Sequence, residues 1–159
     1  MWLSVSATTR PARPTEVQGE DYDFVSAEEF AARRERGEFL EWAEIYGHQS
    51  ATPREPLETV LDSGRDALVE VDIQGAEAIK RAVPEAILVF LETPSREDLA
   101  ARLRRRGTED AEALSRRIGA AEQELRVRNT YDHIIVNDEI DAAVEAFVRI
   151  LDGAPPSKG

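Results

Sequence analysis

The sequence contains no cysteine, so disulfides and thiolate metal sites are excluded and a cytoplasmic location becomes the expectation. Lysine is nearly missing as well: Lys80 and Lys158 are the only two among 20 basic residues. No run of about 18 apolar residues exists, so no helix is expected to span a membrane. The opening MWLSVSATTR has neither the basic start nor the apolar stretch of a signal peptide. Positive charge is in deficit overall, with 20 Lys+Arg against 32 Asp+Glu and a formal charge of −12. Binding along nucleic acid needs a basic face, so nucleic acid is not an expected partner. What is present, 159 residues of which 42% are hydrophobic and 33% charged, suits one globular α/β domain with its own core.

The arginines matter more by position than by number. A coding bias toward high GC accounts for arginine replacing lysine, but not for clustering. Arg10 and Arg13 flank two prolines, Arg33, Arg34 and Arg36 sit together, and 102–106 reads RLRRR. Arginine's planar fork holds phosphate oxygens in a bidentate way that lysine cannot. An acidic chain with local arginine nests is suited to gripping a small anion in a pocket.

Periodicity divides the chain into elements. Strands are expected at 2–6, 22–25 and 39–46, and buried, parallel-type strands at 67–73, 86–92 and 132–137. Helices are expected from Ser26 to Gly37, from Pro53 to Leu61, over 73–82, from Ser95 to Arg105, over 110–128 and over 139–151. From residue 66 the alternation of strand and helix calls for a parallel sheet covered on both faces. Residues 22–52 read instead as an antiparallel insert, and the tail GAPPSKG as loose.

The most distinctive segment is SVSATTRPARP, residues 4–14. Hydroxyls and two arginines three apart, stiffened by prolines, can encircle a phosphate or other small dianion. A polar loop with arginines directed into solvent fits the same residues. Glu70 and Asp72 lie two apart in an apolar run and share one face of a strand. Buried unpaired carboxylates are costly, so a ligand or a partner is expected there.

SVSATTRPARPTEVQGEDYDFVS resembles the nucleoside-monophosphate-binding region of guanylate kinases. The likeness continues in register through GEFLEWAEIYG, ALVEVDIQG, RLRRRGTEDAEALSRRI and IIVND, covering residues 2–150. It implies a P-loop kinase-like parallel sheet with helices on both faces, an inserted mixed or antiparallel GMP-binding subdomain, and a helical lid. Within a single domain 1–159, the GMP region would span 7–65, the core 66–101 and 129–152, the lid 102–128 and a loose tail 153–159. The implied reaction is phosphoryl transfer from ATP to GMP, with Mg2+ accompanying the ATP.

The resemblance also implies residue roles. Arg10 and Arg13 would grip the GMP phosphate, with Tyr22 donating its hydroxyl to the same group. Glu41 would accept from guanine N1–H and the exocyclic amine, and Ser6 and Thr52 would complete the guanine pocket. Glu70 would face guanine, and Asp72 would stand nearest the phosphates and a magnesium-bound water. Arg102, Arg106 and Arg117 match lid arginines that place positive charge on the transferring group. Asn137 matches a residue beside the donor adenine.

Two departures from the family pattern stand out. The sequence contains no G-x-x-x-x-G-K-[ST], the loop that cradles donor phosphates and supplies a magnesium ligand. These residues are therefore expected to turn over poorly, and an initiator assigned downstream of the true start, at a GTG valine codon, would explain the gap. Ser50 also stands where the family has a phosphate-gripping tyrosine, and Ala51 where it has a glycine. The alternative expectation is a non-catalytic guanylate-kinase-like module that holds GMP or phosphorylated peptides through Arg10, Arg13 and Tyr22.

Overall fold

The computed structural model of the chain describes residues 1–105, 119 and 125–153, without the side chains of residues 103 and 105. The chain forms two compact units, Met1–Ala86 and Ile87–Gly159.

In the first unit, β1 (Trp2–Leu3) pairs in parallel with β6 (Ala67–Leu68). A second, four-stranded sheet is built from β2 (Ala7–Thr8), β3 (Asp23–Phe24), β4 (Phe39–Ile45) and β5 (His48–Pro53), in the order β3-β2-β5-β4. β2 runs parallel to β3 and antiparallel to β5, so this sheet is mixed. The strand expected over 2–6 is thus two short strands, because the chain changes partner. It leaves β6 after Leu3 and joins β3 and β5 at Ala7.

β5 is an element that the sequence pattern did not suggest. HQSATP is polar at its start, and its apolar alternation is short. What makes the hairpin is the turn Tyr46–Gly47, with φ of 52° and 81°. Two consecutive positive φ angles match the twist of a two-residue hairpin, and glycine takes the second without strain. The hairpin register sets Glu41 opposite Thr52 and Ala43 opposite Ser50.

α1 (Ala27–Glu35) starts where expected, with Ser26 Oγ accepting from the Glu29 N–H at 3.1 Å. It buries Phe30 completely against Phe39, ring centroids 4.7 Å apart, in a cluster with Ala7, Ala51 and Val25. α2 (Arg54–Asp62) follows Pro53, and α3 (Ile73–Ala82) follows Asp72. The strand expected over 67–73 contracts to Ala67–Leu68, since its partner among the described residues, β1, is two residues long. Residues 69–72 then leave the ladder and lead into α3.

In the second unit, β7 (Val89–Glu92) pairs in parallel with β8 (His133–Val136). α4 (Arg96–Arg105) begins at Ser95, whose Oγ accepts from the Asp98 N–H. α5 (Ile140–Leu151) packs Ala143, Ala146, Phe147 and Ile150 onto Val89 and Ile135. Most of the helix expected over 110–128 lies outside the described residues, and Arg128–Thr130 form a 3-10 turn. Leu3, Leu91 and Val136 stay exposed on the short parallel pairs.

Truncating Phe30 empties the centre of the first unit's core. Phe30→Ala is expected to cost about 3–5 kcal/mol, read as a lower urea midpoint in Trp42 fluorescence.

Candidate functional site

The first unit carries a cavity of about 250 Å³ lined by Ser6, Tyr22, Glu41, Ala43, Ile45, Ser50, Glu70, Val71 and Asp72. Five residues singled out from the sequence therefore meet at one place: Ser6, Tyr22, Glu41, Glu70 and Asp72. They come from the turn into β2, the loop into β3, the inward face of β4 and the segment after β6. In β4 the alternation places Phe39, Glu41 and Ala43 inside while Trp42 and Glu44 face out.

Glu41 is 7% exposed, and its Oε1 accepts a 2.7 Å hydrogen bond from the hydroxyl of Thr52, which is wholly buried. Burial and the neighbouring Asp72 carboxylate push the Glu41 carboxyl above the usual carboxylate range, with the Thr52 bond opposing them. Thr52 does not line the cavity; it reaches the site through Glu41. Glu70 is exposed, so it is not the buried carboxylate that the apolar run suggested. Its strand ends at Leu68, which leaves Glu70 on irregular backbone open to water. Asp72 is half-buried and caps α3, its Oδ1 accepting from the Gly75 N–H at 2.8 Å.

Arg10 and Arg13 do not line this cavity, and one carboxylate holds them together. Glu16 accepts from Arg10 Nη1 and Nη2 at 2.7 and 2.8 Å, from Arg13 Nη1 at 3.1 Å and from the Arg13 backbone N–H at 2.6 Å. The Arg10 guanidinium also lies over the Tyr22 ring, 4.9 Å from its centroid, and so joins the cluster to a cavity-lining residue. Arg10's hydrogen bonds hold the Glu16 carboxyl down at about 2, and Glu16 in turn raises the guanidinium. Sequence reasoning passed over Glu16. The signal was available: one acid at three and six residues after two arginines, in a loop otherwise without charge from Ser4 to Thr15.

Ser50 lines the cavity, and its hydroxyl donates to the Ala7 carbonyl at 3.4 Å. In the second unit Arg102 Nη2 donates to the Asn137 carbonyl at 2.7 Å. At the same strand ends Arg128 Nη1 donates to both Glu92 oxygens, at 3.0 and 2.8 Å. Arg106 and Arg117 lie outside the described residues. Among the described residues no group of three or more His, Asp or Glu could hold a metal ion.

Glu16 and Glu41 shift in opposite directions, so their linkage to folding has opposite signs. Glu16 stabilises the fold fully above its ordinary value of 4.5, and that contribution fades as the pH falls toward 2. Glu41 favours folding in its protonated form, and that contribution is lost as the pH rises through its raised value. Glu16→Gln is expected to flatten the loss of stability between about pH 5 and 2, measured as urea midpoints. An unchanged acid limb would show that Glu16 is not its source.

The comparisons with known proteins agree with one another. The family model for guanylate kinase matches residues 1–154. A guanylate kinase of Corynebacterium efficiens is 46% identical over 155 residues, spanning 96% of this chain and 82% of that protein. One from Nocardia farcinica is 49% identical over 151 residues, spanning 94% of this chain and 78% of that protein. The crystal structure of guanylate kinase from Anaplasma phagocytophilum superposes with a TM-score of 0.81 at 34% identity, covering 98% of this chain and 77% of that one. The α/β fold class read from the alternating elements is that of this solved structure. With a match along nearly its whole length in sequence and in fold, the chain belongs to the guanylate kinase family of nucleoside monophosphate kinases.

Proposed function

We propose that the cavity of the first unit binds GMP as the acceptor in magnesium-dependent phosphoryl transfer from ATP, giving ADP and GDP. The observation that carries this reading is the buried Glu41 carboxylate, pinned by Thr52 and facing a cavity flanked by the Arg10–Glu16–Arg13 cluster. Guanine presents two adjacent donors, N1–H and the exocyclic amine, and one carboxylate accepts both. Adenine offers no such pair. A buried acceptor left without its donors rejects the wrong base by orders of magnitude.

In this reading Arg10 and Arg13 take the phosphate, with Tyr22 closing on it, while Ser6 and Glu70 border the base. Thr52 contributes by aiming Glu41. Asp72 stands by the phosphate end, where it would face a magnesium-bound water. Magnesium bound with the ATP phosphates would supply charge neutralisation on the transferring group. Arg102, Arg106 and Arg117 belong to the lid at 102–128, and Asn137 to the donor base. Arg102 must release the Asn137 carbonyl to serve there. Among the described residues no helix is long and apolar enough to cross a membrane.

The 159 residues contain no G-x-x-x-x-G-K-[ST] to cradle donor phosphates. Expressed as they stand, they are expected to bind GMP without measurable turnover. Calorimetry with GMP and AMP, paired with an assay for ADP formation, tests both halves. A GMP preference that falls about a hundredfold in Glu41→Gln supports the base assignment, and equal binding of the two nucleotides by the unaltered chain overturns it. ADP production well above background overturns the expected inactivity. A phosphoserine peptide that outcompetes GMP would replace this reading with that of a peptide-binding module.

Ser50 supplies a further check. Its hydroxyl bonds weakly to the Ala7 carbonyl, and a tyrosine there would extend across the cavity. Ser50→Tyr is expected to tighten GMP binding about tenfold, the value of one hydrogen bond to a charged group, and to leave guanosine binding unchanged.

A further inference from the structure

Gly75 is the third residue of α3, and its backbone is not in the left-handed region that calls for glycine. Glycine is among the poorest helix formers, so conformation does not explain it. Space does. A Cβ built on Gly75 would stand 2.8 Å from Val71 Cβ, 3.1 Å from Val71 Cγ1 and 3.1 Å from Glu41 Oε2. Both neighbours line the cavity.

The Glu41 carboxylate is therefore held from two sides. Oε1 takes the Thr52 hydroxyl from β5, and Oε2 rests against the bare Cα of the first turn of α3. The same turn is ordered locally by its cap, Asp72 Oδ1 accepting from the Gly75 N–H. We propose that Gly75 is a specificity-determining positioning residue: its missing side chain sets where Glu41 Oε2 stands, and so whether one carboxylate can meet two adjacent donors on a purine edge. Hydrogen bonds weaken steeply with misalignment, and a few tenths of an ångström at Oε2 are enough to spoil one of the pair. The inference rests on the GMP reading above and adds to it a residue that touches no ligand.

The test is a cycle on the intact 159-residue protein, with binding of GMP and AMP followed by calorimetry. Gly75→Ala is expected to cut the preference for GMP over AMP about tenfold, one of two hydrogen bonds to a charged acceptor, with AMP affinity unchanged. The same substitution is made in a Val71→Gly background, which removes both the Cβ and the Cγ1 that the new methyl would meet. An equal loss of preference in both backgrounds supports action through Glu41. A loss that vanishes once Val71 is trimmed would place the effect in packing and overturn the inference. A Gly75→Ala protein that keeps the full preference overturns it too, with the guanine reading intact. Equal binding of GMP and AMP by the unaltered protein would defeat the guanine reading, and this inference with it.

Discussion

A carboxylate removed from water has to be given partners, and most of the first unit is arranged around meeting that demand for Glu41. The β4–β5 hairpin supplies Thr52 directly opposite, and the Tyr46–Gly47 turn fixes the register that does so. A slip of one residue would exchange the inward and outward faces of β4, sending Glu41 to solvent and Trp42 into the cavity. The packing of Phe30 on Phe39 holds the start of the same strand. Fold and site are thus tied at one strand, where the core residue Phe39 and the site residue Glu41 are two positions apart.

The second constraint is charge. A protein with a formal charge of −12 has to concentrate positive potential locally to hold an anion. In the proposed reading that role falls to two arginines on a proline-stiffened loop, which a shared carboxylate fixes. Hydrogen bonds from Gln18 to Asp23 and from the Phe24 N–H to Gln18 brace the return of that loop beside β2. The aromatic faces of Tyr22 and Phe24 support Arg10 from below, at 4.9 and 5.5 Å. Such bracing lowers the entropy lost when a ligand orders long side chains.

Elements that declare themselves locally were legible in the sequence. Ser26 and Gly37 bound α1, Asp72 and Pro84 bound α3, and the apolar alternation of β4 marks Glu41 as inward. β5 was not legible, because its existence depends on the turn geometry and on pairing with β2 and β4 rather than on its own residues. The run ALVEVDI overstates its strand for the converse reason: propensity is present, but among the described residues a partner pairs with two of them. Of the site, the residue types that meet at the cavity could be named from the resemblance. That Thr52 acts through Glu41, and that Glu16 clamps both arginines, are matters of side-chain direction that spacing does not carry.

The arginine pair, finally, brings its own counter-ion. Two guanidiniums and one carboxylate give the cluster a net charge of +1, not +2, and bonds between them hold that charge close. Salt screens that field, and that of the −12 on the whole molecule, beyond about 8–10 Å, so neither reaches far into solution. For the proposed phosphate ligand, selection by shape then happens at contact rather than at a distance. Capture is set by fit and by the number of trials, and distant steering adds little to the rate.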